Sequence, residues 1–148
     1  MSSINEAMKF KATDRVWFTS DLHLGHQNII KYCNRPWATV EEMNPEIIAR
    51  WNAVVQPDDE VIVLGDVALG KIRETLPLCK QLNGRLKTLI YGNHDRLYPT
   101  AKPSNNDWVS FYRECGFENG FLESYMEVDG QRFLLSHIPY QFLAPSHR

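Results

Sequence analysis

Four apolar runs in this sequence each end on side chains able to bind a metal: VWFTSDLH at 16–23, VIVLGD at 61–66, LKTLIYGNHD at 86–95 and RFLLSH at 132–137. Runs of that length and composition read as strands. Residues 61–64 are apolar without alternation, which predicts burial on both faces. Open α/β sheets present their ligand-binding groups at the carboxyl ends of the strands. The four clusters are therefore expected to meet, although they lie far apart along the chain.

Between the runs the pattern changes to helix. A short helix is expected over 27–32. Asn44-Pro45 reads as a helix start, a capping side chain followed by proline at the first helical position. Ile47, Ile48, Trp51, Val54 and Val55 then repeat on one face. A further helix falls within 71–82, where Pro77 either kinks it or lies in its first turn, and Asn83-Gly84 closes it. Asn106 or Asp107 caps another, with Trp108, Phe111, Tyr112 and Cys115 on one face and Gly116 beyond its end. Asp129-Gly130, between apolar stretches at 125–128 and 132–135, is a type I′ hairpin signal. The order predicts an α/β fold of parallel strands with an added antiparallel hairpin. A chain of 148 residues suits one domain over 1–148, with residues 1–14 as a loose lead-in.

The formal net charge of −2 gives no overall basic field that would draw the chain to nucleic acid. Cys33, Cys79 and Cys115 are widely spaced and form no CxxC pair. That pattern argues against a disulfide framework or a thiolate zinc site and points to reduced thiols in a cytoplasmic protein. The first ten residues lack the apolar core of a signal peptide, and no segment approaches the ~18 apolar residues of a membrane span.

The strand ends assemble a definite chemistry. Asp21, His23, Asp66, Asn93 and His137 supply carboxylate, imidazole and amide-oxygen ligands. Such a mixture suits manganese, iron or zinc better than calcium or magnesium, because imidazole is not a hard-cation ligand. Asp66, on the central strand, is the candidate to bridge two cations with its two oxygens. Two divalent ions ~3.5–4 Å apart clamp a phosphoryl group and hold between them a hydroxide that attacks phosphorus. His94 follows Asn93 and points away from the ligand set, placed to protonate the leaving oxygen or to hydrogen-bond the phosphoryl group. Asp95 is the candidate to orient His94 by accepting its other N–H. His26 and Asn28 either cap a helix in solvent or line the site. Trp51 and Trp108 read as core, and Lys80, Arg85 and Lys87 as solvated.

Taken in order, DLH at 21–23, GD at 65–66, GNHD at 92–95 and SH at 136–137 resemble the successive motifs of calcineurin-like metallophosphoesterases. The stretch FTSDLHLGHQNII at 18–30 further resembles a bacterial and phage branch of that superfamily. The resemblance implies two packed mixed β-sheets flanked by helices, an α-β-β-α sandwich, here shortened at the C-terminus. It implies that Asp21 and His23 bind one metal, that Asp66 bridges, and that Asn93 and His137 bind the other, with Mn2+ the first expectation. The activity implied is hydrolysis of phosphomonoesters or phosphodiesters, with nucleotide, nucleic acid, protein and small ester all open as substrates. The family pattern continues with a GHxH motif that gives each metal one further histidine. The sequence to Arg148 contains no such motif, and His147 is the sole histidine after His137. Two expectations follow: weakened metal binding and activity, or completion of the site and of an exposed sheet edge by a partner or a second copy.

Two other classes compete. GDVALGK at 65–71 follows a strand and matches the GxxxxGK spacing of a phosphate-binding loop. Ile72 then stands where that motif needs a hydroxyl, and Asp66 puts an anion inside the phosphate cradle. A noncatalytic binding module that keeps the fold without turnover is the other alternative.

Overall fold

A computed structural model describes residues 6–139. Among these residues seven strands form two sheets: β1 (Met8–Phe10), β2 (Val16–Thr19), β3 (Glu60–Val63), β4 (Leu86–Ile90), β5 (Asn119–Phe121), β6 (Glu123–Val128) and β7 (Gln131–Ser136). Four α-helices connect them: α1 (Gln27–Tyr32), α2 (Val40–Val54), α3 (Ile72–Thr75), which runs into a 3-10 helix at Leu76–Gln81, and α4 (Trp108–Glu114).

Strands β2, β3, β4 and β5 lie side by side in sequence order and are all parallel. Each parallel step needs a crossover. Crossovers of one hand between neighbouring strands put all their helices on one face. That face is closed by Ile48 and Trp51 of α2, Ile72 of α3, Leu76 and Cys79 of the 3-10 helix and Tyr112 of α4, packed on Val61, Val63 and Leu89. The other face is left for a second sheet. Strand β1 pairs parallel with β6, and β6 pairs antiparallel with β7. Ile62 and Ile90 from the first sheet meet Met126 and Leu135 from the second, with Met8, Phe10 and Val16 around them. Val61, Ile62 and Val63 are accordingly buried on both sides.

The result is two packed sheets with flanking helices. Among the described residues the helices lie on the open face of the four-stranded sheet. Tyr125 and Leu134, on the outer face of the hairpin, stay 41% and 40% exposed. No helix among the described residues is long and apolar enough to cross a membrane.

Several details differ from the sequence reading. Met8–Phe10 is a strand, not loose lead-in; its partners are the distant residues Met126, Glu127 and Val128. Helix α2 starts earlier than Asn44: Thr39 caps it by accepting from the N–H of Glu42, whose carboxylate accepts from the N–H of Ala38. This is close to a capping box. Pro45 therefore lies inside the helix, and the Asn44 side chain reaches instead to the N–H of Gly25 at 3.0 Å. Lys87 is buried, with its ammonium donating to the carbonyls of Leu82 and Gly84. Arg85 pairs with Glu60 at the surface. The Asp129-Gly130 turn has φ of 47° and 82°, the two positive values a type I′ turn demands.

Candidate metal centre

The loops after β2 and β3 are zipped together by backbone bonds. Asp21 N donates to Gly65 O at 2.9 Å, His23 N to Asp66 O at 3.0 Å and Leu24 N to Val67 O at 3.0 Å. Arg35 fastens the first loop from outside, donating to Leu22 O at 2.8 Å and Asp21 O at 2.7 Å. Asp21, His23 and Asp66 all hold positive φ, at 57°, 52° and 57°. Non-glycine residues rarely adopt that conformation, and clusters of it accompany functional sites. Here it turns three potential ligands off their strand ends towards one point.

Two glycines let the neighbouring loops touch. A Cβ on Gly92 would overlap the Asp66 side chain and backbone N. A Cβ on Gly65 would lie 2.6 Å from Gly92 Cα.

The four strand tips converge. His23 Nε2 lies 3.4 Å from Asp21 Oδ1 and 3.5 Å from Asp66 Oδ2. His137 Nε2 lies 3.6 Å from Asp66 Oδ2 and 3.0 Å from Asn93 Oδ1. Single ligand atoms of Asp21, Asp66 and His137 all fall within 4.8 Å of one another. Asp66 Oδ2 thus stands between two imidazoles, one carried by each sheet. The other Asp66 oxygen accepts from His94 N at 2.9 Å, so one oxygen rather than both faces the centre.

The imidazoles are held in defined orientations. His137 Nδ1 is 2.6 Å from Leu64 O. A carbonyl only accepts, so Nδ1 carries a proton there and the ring turns Nε2 towards Asn93 and Asp66. Burial lowers the pKa of His23 more than Asp66 and Asp21 raise it. Burial, His94 and Arg35 lower that of His26. Neutral rings of this kind are what metal ligation needs.

His94 is exposed, with its ring centroid 5.8 Å from His23 and 6.2 Å from His26. Asp95 does not orient it. The buried Asp95 carboxylate accepts from the N–H groups of Asp66, Val67 and Gly92 at 3.0, 3.2 and 2.7 Å, with the Tyr112 hydroxyl 3.4 Å away. It is a clamp joining the β3 and β4 loops, not the partner of His94. Burial pushes its pKa up against the pull of those three donors.

The sequence alone leaves the place of His26 open; in the fold it lines the centre. It begins α1 without a side-chain capping bond, and its Nδ1 lies 3.1 Å from His23 Nδ1. Asn28 is exposed. Arg35 was not legible as a site residue, because nothing local marks an arginine that bonds two carbonyls more than ten positions away. Lys71 is exposed and pairs with Glu74 at 3.6 Å, while Asp66 faces the carboxylate cluster, so residues 65–71 do not form a phosphate cradle. Cys79 and Cys115 sit in the core, their thiols pushed up by burial. His147 lies outside the described residues. Beside His137 opens a cleft of about 300 Å³, bordered by Tyr91, Tyr98, Leu122 and Ser136.

Fold and strand-end motifs define a class, and the chain belongs to it: residues 14–145 match the calcineurin-like phosphoesterase family. Among its relatives is the gene 66 protein of Mycobacterium phage L5, 32% identical over 131 residues, covering 84% of this chain and 63% of that protein. An uncharacterized protein of Methanocaldococcus jannaschii is 46% identical over 84 residues, covering 55% of this chain and 47% of the other. The crystal structure of a protein of unknown function from Aquifex aeolicus superposes with a TM-score of 0.62 at 29% identity, covering 89% of this chain and 63% of that one. The chain thus spans about half to two thirds of the length of these relatives.

Proposed function

We propose that this chain is a phosphoester hydrolase working with two divalent cations, manganese first among the candidates. Asp21 and His23 would hold one ion, Asn93 and His137 the other, and Asp66 would be shared between them. One observation carries the reading. With its Nδ1 proton committed to Leu64, His137 turns Nε2 to Asn93 Oδ1 at 3.0 Å and to Asp66 Oδ2 at 3.6 Å. An imidazole nitrogen, an amide oxygen and a carboxylate oxygen converge there, an arrangement that a cation satisfies. The donors are oxygen and imidazole without thiolate, which fits manganese, iron or zinc.

Bound there, a cation pair neutralises charge on the phosphoryl oxygens and supplies a nucleophile at neutral pH. The chain's own residues do the rest. Its loop clamps hold the ligands at fixed positions, and preorganised groups of this kind need no rearrangement at the moment of reaction. His94, exposed at the mouth and anchored by its backbone N–H on Asp66, donates a proton to the departing oxygen or a hydrogen bond to the phosphoryl group. The cleft beside His137 has room for the organic part of an ester. The free cysteines support a reducing, cytoplasmic setting.

The test is hydrolysis of p-nitrophenyl phosphate and bis(p-nitrophenyl) phosphate with added Mn2+. Turnover is expected, with losses of about 10²–10⁴-fold in His94→Ala, as for a general acid. Asp66→Asn is expected to lose both turnover and Mn2+. Folded protein that binds Mn2+ and turns over neither ester would favour a binding module instead.

A further inference from the structure

His26 belongs to no expected ligand set, yet it is the residue against which His23 rests. The two Nδ1 atoms are 3.1 Å apart, and the ring centroids 5.2 Å apart with the planes tilted by 35°. His23 turns its other nitrogen, Nε2, towards Asp21 and Asp66. A ring that offers Nε2 to a cation must carry its proton on Nδ1. Here that proton has one side-chain acceptor within reach, the Nδ1 of His26. The backbone provides for nothing else: the His26 ring makes no capping bond to α1. Its position is fixed by its own N–H donating to His23 O at 3.0 Å. The same demand is met at the second imidazole by a carbonyl, Leu64 O. The two metal-facing histidines would thus each have an outer partner that selects the tautomer, one a backbone oxygen and the other a second imidazole.

We infer that His26 is a positioning residue for His23: its bare Nδ1 accepts the His23 Nδ1 proton and so holds His23 Nε2 open to a cation. This rests on the reading of the centre as a metal site. A consequence follows for His26 itself. With Nδ1 used as an acceptor, its one proton lies on Nε2.

Ring partners of this kind typically change metal affinity by about 10–100-fold when removed. The experiment is titration of the metal-free protein with Mn2+, comparing wild type, His26→Ala and His26→Asn. The Asn carboxamide oxygen takes roughly the place of Nδ1 and keeps an acceptor. His26→Ala is expected to weaken Mn2+ binding about 10–100-fold, and His26→Asn to stay within about threefold of wild type. Nitrogen NMR of the Zn2+-loaded wild type gives a readout free of any variant: His23 should show a protonated Nδ1 and His26 a protonated Nε2. Equal Mn2+ affinity in His26→Ala and wild type would overturn the inference while leaving the metal centre intact. Equal weakening of both variants, or a His26 protonated on Nδ1 in the loaded protein, would overturn it too. A wild type that takes up no Mn2+ would instead remove the reading of the centre on which it stands.

Discussion

His137 Nδ1 donates to Leu64 O across 2.6 Å, tying the end of β7 in one sheet to the end of β3 in the other. A single bond thus joins the two sheets at the point where the candidate ligands meet, and it turns His137 Nε2 into the centre. Losing a ligand should cost more than the roughly 10–100-fold that losing an outer partner costs. His137→Ala is therefore expected to lower kcat on bis(p-nitrophenyl) phosphate by at least about a hundredfold and to abolish tight uptake of one of two Mn2+ ions. Full activity at saturating Mn2+ would remove His137 from the ligand set.

Asp95 offers a contrast, because its carboxylate touches backbone rather than ligands. Removing it leaves the N–H groups of Asp66, Val67 and Gly92 without their acceptor inside the core. Unsatisfied buried donors of this kind cost about 1–3 kcal/mol, more where the lost partner is charged. Asp95→Ala should destabilise the fold by about 3 kcal/mol in urea unfolding. A variant of wild-type stability with a purely catalytic defect would restore the idea that Asp95 orients His94.

Asp59, a buried carboxylate away from the centre, holds the start of β2. It accepts from Arg15 Nε, from Trp17 Nε1 and from Gln56 N, each at 2.8 Å. The Gln56 N–H first, then the Trp17 and Arg15 donors, keep its pKa below the ordinary 3.8. A depressed carboxylate stabilises the fold above its unfolded pKa and loses that contribution as pH falls through the folded one. Wild type should therefore exceed Asp59→Asn in stability at pH 7. The gap should close as the pH drops below 3.8. A gap that is independent of pH across that range would show that the charge is immaterial.

The parts of this molecule written locally were legible in its sequence. Apolar runs ending on Asp21, Asp66, Asn93 and His137 marked strand tips, and Asp129-Gly130 marked the hairpin. What was lost depended on distant partners. Strand β1 has three residues and exists through pairing with Met126–Val128 at the far end of the chain. Strand β5 begins Asn119-Gly120, two residues depleted in strands, and is held by β4. Asn44-Pro45 is the louder helix-start signal, but α2 begins at the subtler Thr39 and Glu42, whose spacing is a capping signal in its own right. Lys87 reads as solvated from its charge alone, whereas its burial depends on the carbonyls of Leu82 and Gly84, which no local pattern marks. Asp95 was legible as important but not as what it is: its neighbour in sequence is His94, whereas its partners come from two loops.

A metal centre here requires that cations gather around Asp66. Crystals grown with Mn2+, measured by anomalous diffraction at the manganese edge, test this directly. Two peaks about 3.5–4 Å apart are predicted, one beside His23 and one beside His137, with Asp66 Oδ2 between them. Crystals that diffract well and show no anomalous peak within bonding distance of Asp66 would contradict the account.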